Sequence, residues 1–382
     1  MIFYDANRRG SRIAARILIA LLIVAGGIGI AGRGQISSGE LADIRTVIES
    51  AKSTRATAAA SMDFAQGTMH ANDFQSTITS TRRAVADYDQ LAASASLTRF
   101  TSDSPFAQFV FTPRATLLGT VDRLNNAANT MQTQTAALID AMETSFANDF
   151  RTDGGHWMVQ VDDPAAINEL VSRYGKQRSY QTLQEHLDDL KSLYNLEQRV
   201  RQQVADAIAA VHAGETNAAQ IAVPTEAGAM DAAGWLGTAQ SVASTLGVQV
   251  KQTSVYGCPG ADDNGDNNAD MVIGFFCGGS QASRNEVNML TTHPEWPAVE
   301  RSPLLVDYTK HELAHRSIMI VCGTTEPEIA ANRTEAVTNS YAVQFLGASR
   351  ERIAGSQQGL AAYAMDAQSD QIAQSIHNGT CA

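Results

Sequence analysis

The sequence predicts a mostly helical α+β protein. It reads as an N-terminal membrane segment, an extended helical region and a C-terminal domain in which a β-hairpin is set among helices. Three observations predict it. Apolar residues recur at intervals of three and four through most of residues 34–211. Two β-rich runs, VQVKQTSVYGC and DMVIGFFCGG, stand only in the last third of the chain. A single long apolar stretch, ILIALLIVAGGIGIAG, lies near the N-terminus.

That stretch runs from Ile17 to Gly32, follows Arg8, Arg9, Arg12 and Arg16, and ends at Arg33. It is short for a span, but reaching back to Ile13 with Arg16 snorkelling makes it long enough. The arginines predict a cytosolic basic tail over 1–16, a single-pass signal anchor over 17–33, and an extracytoplasmic remainder. The competing reading is a signal peptide cleaved after Ala31, leaving a secreted protein. The imperfect cleavage pattern favours the anchor.

Residues 34–70 carry Leu41, Ile44, Val47, Ile48 and Ala51 at helical spacing, and 72–97 look similar. Pro105 and Pro113 mark a break at 101–114. A long helix rich in Ala, Thr, Asn and Gln is expected over 115–149, with RTDGGHWMVQVDDP interrupting at 151–164. A further helix starts near Pro164, a residue suited to a first turn. Leu183, Leu187, Leu190, Tyr194, Val204, Ile208 and Val211 form the strongest amphipathic pattern, broken by Glu197 and Arg201. This predicts a helical bundle or a short coiled coil, through which a homodimer could form. His70, His156, His186 and His212 show no partners at ligand spacing and are read as surface or packing residues. The small-residue stretch 212–234 reads as a linker closing the helical region 34–234.

The C-terminal domain, 235–382, begins with a helix over 235–246 stopped by Gly247. The two β-rich runs follow as a hairpin, and helices stopped by Gly323 and Gly347 come next. Between the runs, Asp262, Asn264, Asp266, Asn268 and Asp270 alternate as in calcium loops. Without the glycine and glutamate of an EF-hand, 262–270 reads as a solvated turn, with Ca2+ as the alternative.

Bulk properties narrow the function. The net charge of −12 over 382 residues argues against a general nucleic-acid binder. The four cysteines, Cys258, Cys277, Cys322 and Cys381, form an even set that suits disulfides in an oxidising compartment. Of the three pairings, Cys258–Cys277 across the hairpin and Cys322–Cys381 at the C-terminus are expected.

The chemistry sits in KHELAHRSIMIVCG, residues 310–323. On a helix His311 and His315 are one turn apart on one face, where two imidazoles can share a tetrahedral ion. Glu312 points to the side, suited to taking a proton from an activated water. NRTEAVTNSYAVQFLG, 332–347, reads as a second helix and places Glu335 twenty residues beyond His315.

This His-Glu-x-x-His with a glutamate on the next helix resembles the gluzincin group of zinc metallopeptidases, to which thermolysin belongs. The interval to the glutamate matches the thermolysin type. The likeness covers about 311–347. It implies a zincin-like domain over 235–382, Zn2+ on His311, His315 and Glu335, and Glu312 as general base. It also implies a peptide or protein substrate lying along an edge strand. Where thermolysin-like enzymes have an aspartate that orients a zinc-bound histidine, this chain has Asn339, an uncharged acceptor. Tyr341 and His377, with Tyr363 and Arg333, are the candidates for the donor to the oxyanion. The expected function is zinc-dependent peptide-bond hydrolysis outside the cytosol. The alternative is a membrane-anchored helical stalk that binds a partner and carries a metal domain without catalysis.

Overall fold

The computed structural model describes residues 36–94, 114–161, 164–176, 178–223, 235–258, 272–279 and 281–382. The expected anchor at 17–33 and the acidic stretch 262–270 lie outside them. Among the described residues, no helix is long and apolar enough to cross a membrane. Among the described residues the fold is mostly helical, with one three-stranded sheet, and the chain divides into two compact units, 1–138 and 139–382.

The first unit holds helix α1 (Ser38–Gly67), α2 (Gln75–Ser94) and the start of α3 (Arg114–Gln160). A capping box starts α1: Glu40 N–H donates to Ser37 Oγ at 3.2 Å, and Ser37 N–H donates to the Glu40 carboxylate at 2.8 Å. Ile44, Ile48 and Ala58 of α1 pack with Ala84 and Tyr88 of α2 and with Leu117, Leu124 and Met131 of α3. The core also buries Ser61, Thr81 and Thr135. Each returns its hydroxyl to the carbonyl four residues back, at 2.7–2.9 Å, so no buried donor is wasted.

The second unit holds the rest of α3, α4 (Ala165–Gly175), α5 (Leu183–Gln220), α6 (Trp235–Ser244) and strands β1 (Gln249–Thr253), β2 (Gly274–Phe276) and β3 (Glu286–Leu290). Helices α7 (Leu304–Cys322), α8 (Thr334–Leu346), α9 (Arg350–Ser356) and α10 (Ala367–His377) complete it. At its centre is α7. Every residue from Leu305 to Cys322 is buried except His315, which is why the helix shows little amphipathic pattern. Gly323 and Gly347 end α7 and α8 with φ of 72° and 70°, the left-handed geometry that glycine accepts without strain.

Three local expectations are corrected. First, the two β-rich runs do not form a hairpin. β1 pairs in parallel with β3, β2 pairs antiparallel with β3, and the order is β1-β3-β2. The central strand, EVNML, is short and carries only weak alternation. Cys258–Cys277 joins the segments that leave β1 and β2, and Cys322–Cys381 ties the C-terminus to the end of α7.

Second, α3 does not break at 151 but continues to Gln160. Tertiary partners hold the part that contains Gly154-Gly155. The Arg284 guanidinium donates to Met158 O and Val159 O at 3.1 and 2.7 Å, and Gln160 Nε2 donates to Ile320 O and Val321 O at 3.0 and 3.2 Å. A Cβ at Gly154 would meet the Phe150 ring at 2.8 Å, so the glycine leaves room for Phe150 to stack on Tyr174.

Third, the stretch read as a linker from 212 is helical to Gln220. Its small residues are a packing face, since a Cβ at Gly214 would lie 2.7 Å from Thr245 O.

Candidate metal centre

Helices α7 and α8 pack together and bring His311, His315 and Glu335 to one place. Glu335 stands in the first turn of α8, where the helix dipole favours a carboxylate. Its Oε2 lies 3.1 Å from His311 Nε2 and 3.5 Å from His315 Nε2. That oxygen is buried yet makes no hydrogen bond of good geometry. The two rings stand edge to face, with centroids 4.8 Å apart and planes at 87°, so their Nε2 atoms aim inward from different directions.

Their outer nitrogens explain the arrangement. Asn339 Nδ2 donates to Gln357 Oε1 at 2.7 Å and to the Tyr363 carbonyl at 2.9 Å, which sets the orientation of the amide. Asn339 Oδ1 therefore accepts from His311 Nδ1 at 2.7 Å. Likewise, Thr338 Oγ1 gives its one proton to Thr334 O at 2.9 Å, leaving its oxygen to accept from His315 Nδ1 at 3.4 Å. With both Nδ1 atoms protonated, the neutral rings turn bare Nε2 lone pairs toward a carboxylate oxygen. Three lone pairs facing one another repel unless a cation stands among them, so these residues fit a metal ion.

The electrostatics point the same way. Burial opposes protonation of His311, but Glu335 and Glu312 outweigh it and raise its pKa. The two imidazoles keep the Glu335 carboxyl well below its usual range despite burial. The pocket thus favours a positive charge, from a proton or a metal.

Glu312 is buried beside this cluster. Burial raises its pKa, with a hydrogen bond from the Phe276 backbone and the two histidines opposing. A Cβ at Gly274 would lie 3.1 Å from Glu312 Oε1, so the missing side chain on β2 makes room for the acid. A cleft of about 250 Å³ opens here, lined by Ile273, Gly274, Tyr308, His311, Glu312 and Tyr363 among others. The Tyr363 ring centroid is 6.1 Å from that of His311. Burial, then Glu335 and Glu312, raise its hydroxyl pKa, so it stays a donor at neutral pH.

Tyr341 and His377, expected to face the reacting centre, lie elsewhere. The Tyr341 hydroxyl is fully buried and donates to Glu215 Oε1 at 2.8 Å. Six residues beyond Glu335, it occupies a different face of α8. His377 is stacked between His212 and Phe345, with its Nε2 3.2 Å from Glu215 Oε2. Arg333 pairs with Asp366 and Gln368. Among the described residues, two further His/carboxylate groups escaped the sequence reading: His212 with Glu215 and His377, and Asp140 with Glu143 and His186. Within one element the first is signalled only by His212 and Glu215 one turn apart. His377 and Glu143 come from distant elements.

No protein-family model matches the chain, and no curated protein or solved structure is significantly similar to it.

Proposed function

We propose that the protein is a zinc-dependent peptide-bond hydrolase with His311, His315 and Glu335 as ligands and Glu312 as general base. The observation that carries this reading is the pair of pinned imidazoles converging on Glu335 with a buried acid and an open cleft beside them. An imidazole–carboxylate set of three suits zinc and leaves a coordination position open for chemistry. Zinc held there would supply Lewis-acid polarisation of a water molecule and of the substrate carbonyl.

The chain's own groups do the remaining work. Glu312 takes the proton that the attacking water gives up and passes it to the leaving amine. The hydroxyl goes to the carbonyl carbon, the C–N bond breaks, and an acid and an amine result. Tyr363 donates to the oxygen that gains charge, in place of Tyr341 and His377. β2 borders the sheet and the residues before it line the cleft, so an extended peptide chain is the substrate form it suits. The two disulfides support a setting outside the cytosol.

The test is Glu312→Gln beside His315→Ala in the full chain, with bound zinc and cleavage of a mixed peptide library both measured. Glu312→Gln is expected to keep one zinc at this centre while turnover falls about a thousandfold. His315→Ala should lose that zinc. Zinc without turnover in the wild-type chain would instead favour a non-catalytic metal domain on a helical stalk.

A further inference from the structure

Helices α5, α8 and α10 meet at a second cluster, remote in sequence from the first. His212 and Glu215 stand one turn apart on α5, and His377 closes α10. Glu215 is 1% exposed. Tyr341 donates to its Oε1, which orients the carboxylate and leaves Oε2 facing His377 Nε2 at 3.2 Å. Oε2 is buried and makes no hydrogen bond of good geometry, and His212 Nε2 is buried without one as well. The three ligand atoms lie within 4.8 Å of one another. Burial pushes the Glu215 carboxyl up to about 7 against hydrogen bonds from Ser317 and Tyr341, and a cation shared with the unpaired buried His212 nitrogen would remove the desolvation cost of both groups.

We propose that His212, Glu215 and His377 hold a second transition-metal ion, of the imidazole- and carboxylate-binding class that includes zinc, cobalt and nickel. Tyr341 plays the part for Glu215 that Asn339 plays for His311, fixing a ligand from behind. Phe345 stacks on the far face of the His377 ring, with centroids 3.9 Å apart, and sets its plane.

The two centres differ in preparation. The His212 and His377 rings lie at 21° to each other, nearly parallel, against 87° for His311 and His315. The second site therefore closes on an ion only when the half-exposed His212 ring turns, and it binds about tenfold or more weakly than the first. The bound ion clamps α10 to α5 behind α8, the helix that carries Glu335.

Zinc titration of the metal-stripped full chain, read by elemental analysis and by thermal unfolding, tests this. Two classes of site are expected, with two ions bound at excess zinc and a second rise in melting temperature as the weaker class fills. His212→Ala should remove the weaker class only, and His315→Ala the tighter class only. A single class in the wild-type chain, abolished by His315→Ala and untouched by His212→Ala, overturns the second site and leaves the proposed hydrolase standing. A single class that survives His315→Ala and is lost in His212→Ala does the reverse. The wild-type stoichiometry needs no variant, so misfolding of a variant cannot hide the answer.

Discussion

The α7–α8 centre and the polar network joining α3, α4 and α5 use the same residue types to opposite ends. In the network, His186 Nε2 lies 2.9 Å from Glu143 Oε2 in a hydrogen bond, and Tyr180 stacks on the ring at 4.2 Å and 9°. Asp189 in turn gathers Arg173, Arg178 and Tyr180 at 2.6–2.7 Å. The Asp189 oxygens and Glu143 Oε2 each meet a donor there. At the α7–α8 centre the donors are turned outward, to Asn339 and Thr338, and the inward atoms are all acceptors. A histidine beside a carboxylate is thus an ion pair or a metal site according to which ring nitrogen the neighbouring elements have claimed.

If the centre is the proposed hydrolase, the largest effect on this comparison is a loss of turnover in Glu312→Gln, since no acid of the α3–α4–α5 network could replace it. Next comes Asn339. Asn339→Ala frees His311 Nδ1 and, on the proposed reading, should weaken zinc binding about 10–100-fold, measured against a competing chelator. Asn339→Asp sharpens the point. A carboxylate there would still accept from His311 but would face the Tyr363 carbonyl, which Asn339 now donates to. We expect it to lower thermal stability rather than improve the site, so an asparagine suits this network where thermolysin-like enzymes carry an aspartate.

In the network, burial opposes ionisation of Asp189, but Tyr180, Arg178 and Arg173 overcome it and hold the carboxyl below its ordinary range. The folded pKa being depressed, the stabilisation is fully present above the unfolded value of about 3.9 and is lost as pH falls through the folded value. Asp189→Asn should cost about 1–3 kcal/mol near neutrality, and the gap to wild type should close in acid, as urea unfolding at several pH values would read. Smallest is Glu143→Gln. It should change stability by about 1 kcal/mol or less and leave bound zinc unchanged. A loss of zinc on that substitution would erase the distinction between the two regions.

Much of the α7–α8 centre was legible because its information is local. Two histidines four residues apart share a face of any helix, and Gly323 and Gly347 mark where α7 and α8 stop. The two disulfides followed from an even cysteine set and the elements each pair would join. Less local features were misread. Gly154-Gly155 signals a break wherever the surrounding chain is ignored, yet α3 runs on past it to an end where Arg284 caps its carbonyls and Gln160 ties it to α7. The pairing of β1 with β3 and not β2 depends on which strands are brought together, and alternation within a run carries no such information.

The sequence by itself determined the mostly helical character, the ends of α7 and α8 and the His-Glu-x-x-His face, because each depends on residues within a turn or two of one another, and its even cysteine set pointed to the disulfides. Only the tertiary structure decided which groups claim the outer nitrogens of His311 and His315. It also brought Tyr363 to the cleft and turned Tyr341 and His377 away to Glu215. Those outcomes require side chains from separate elements to meet within about 3 Å, the range over which a hydrogen bond holds, and that proximity is a property of packing.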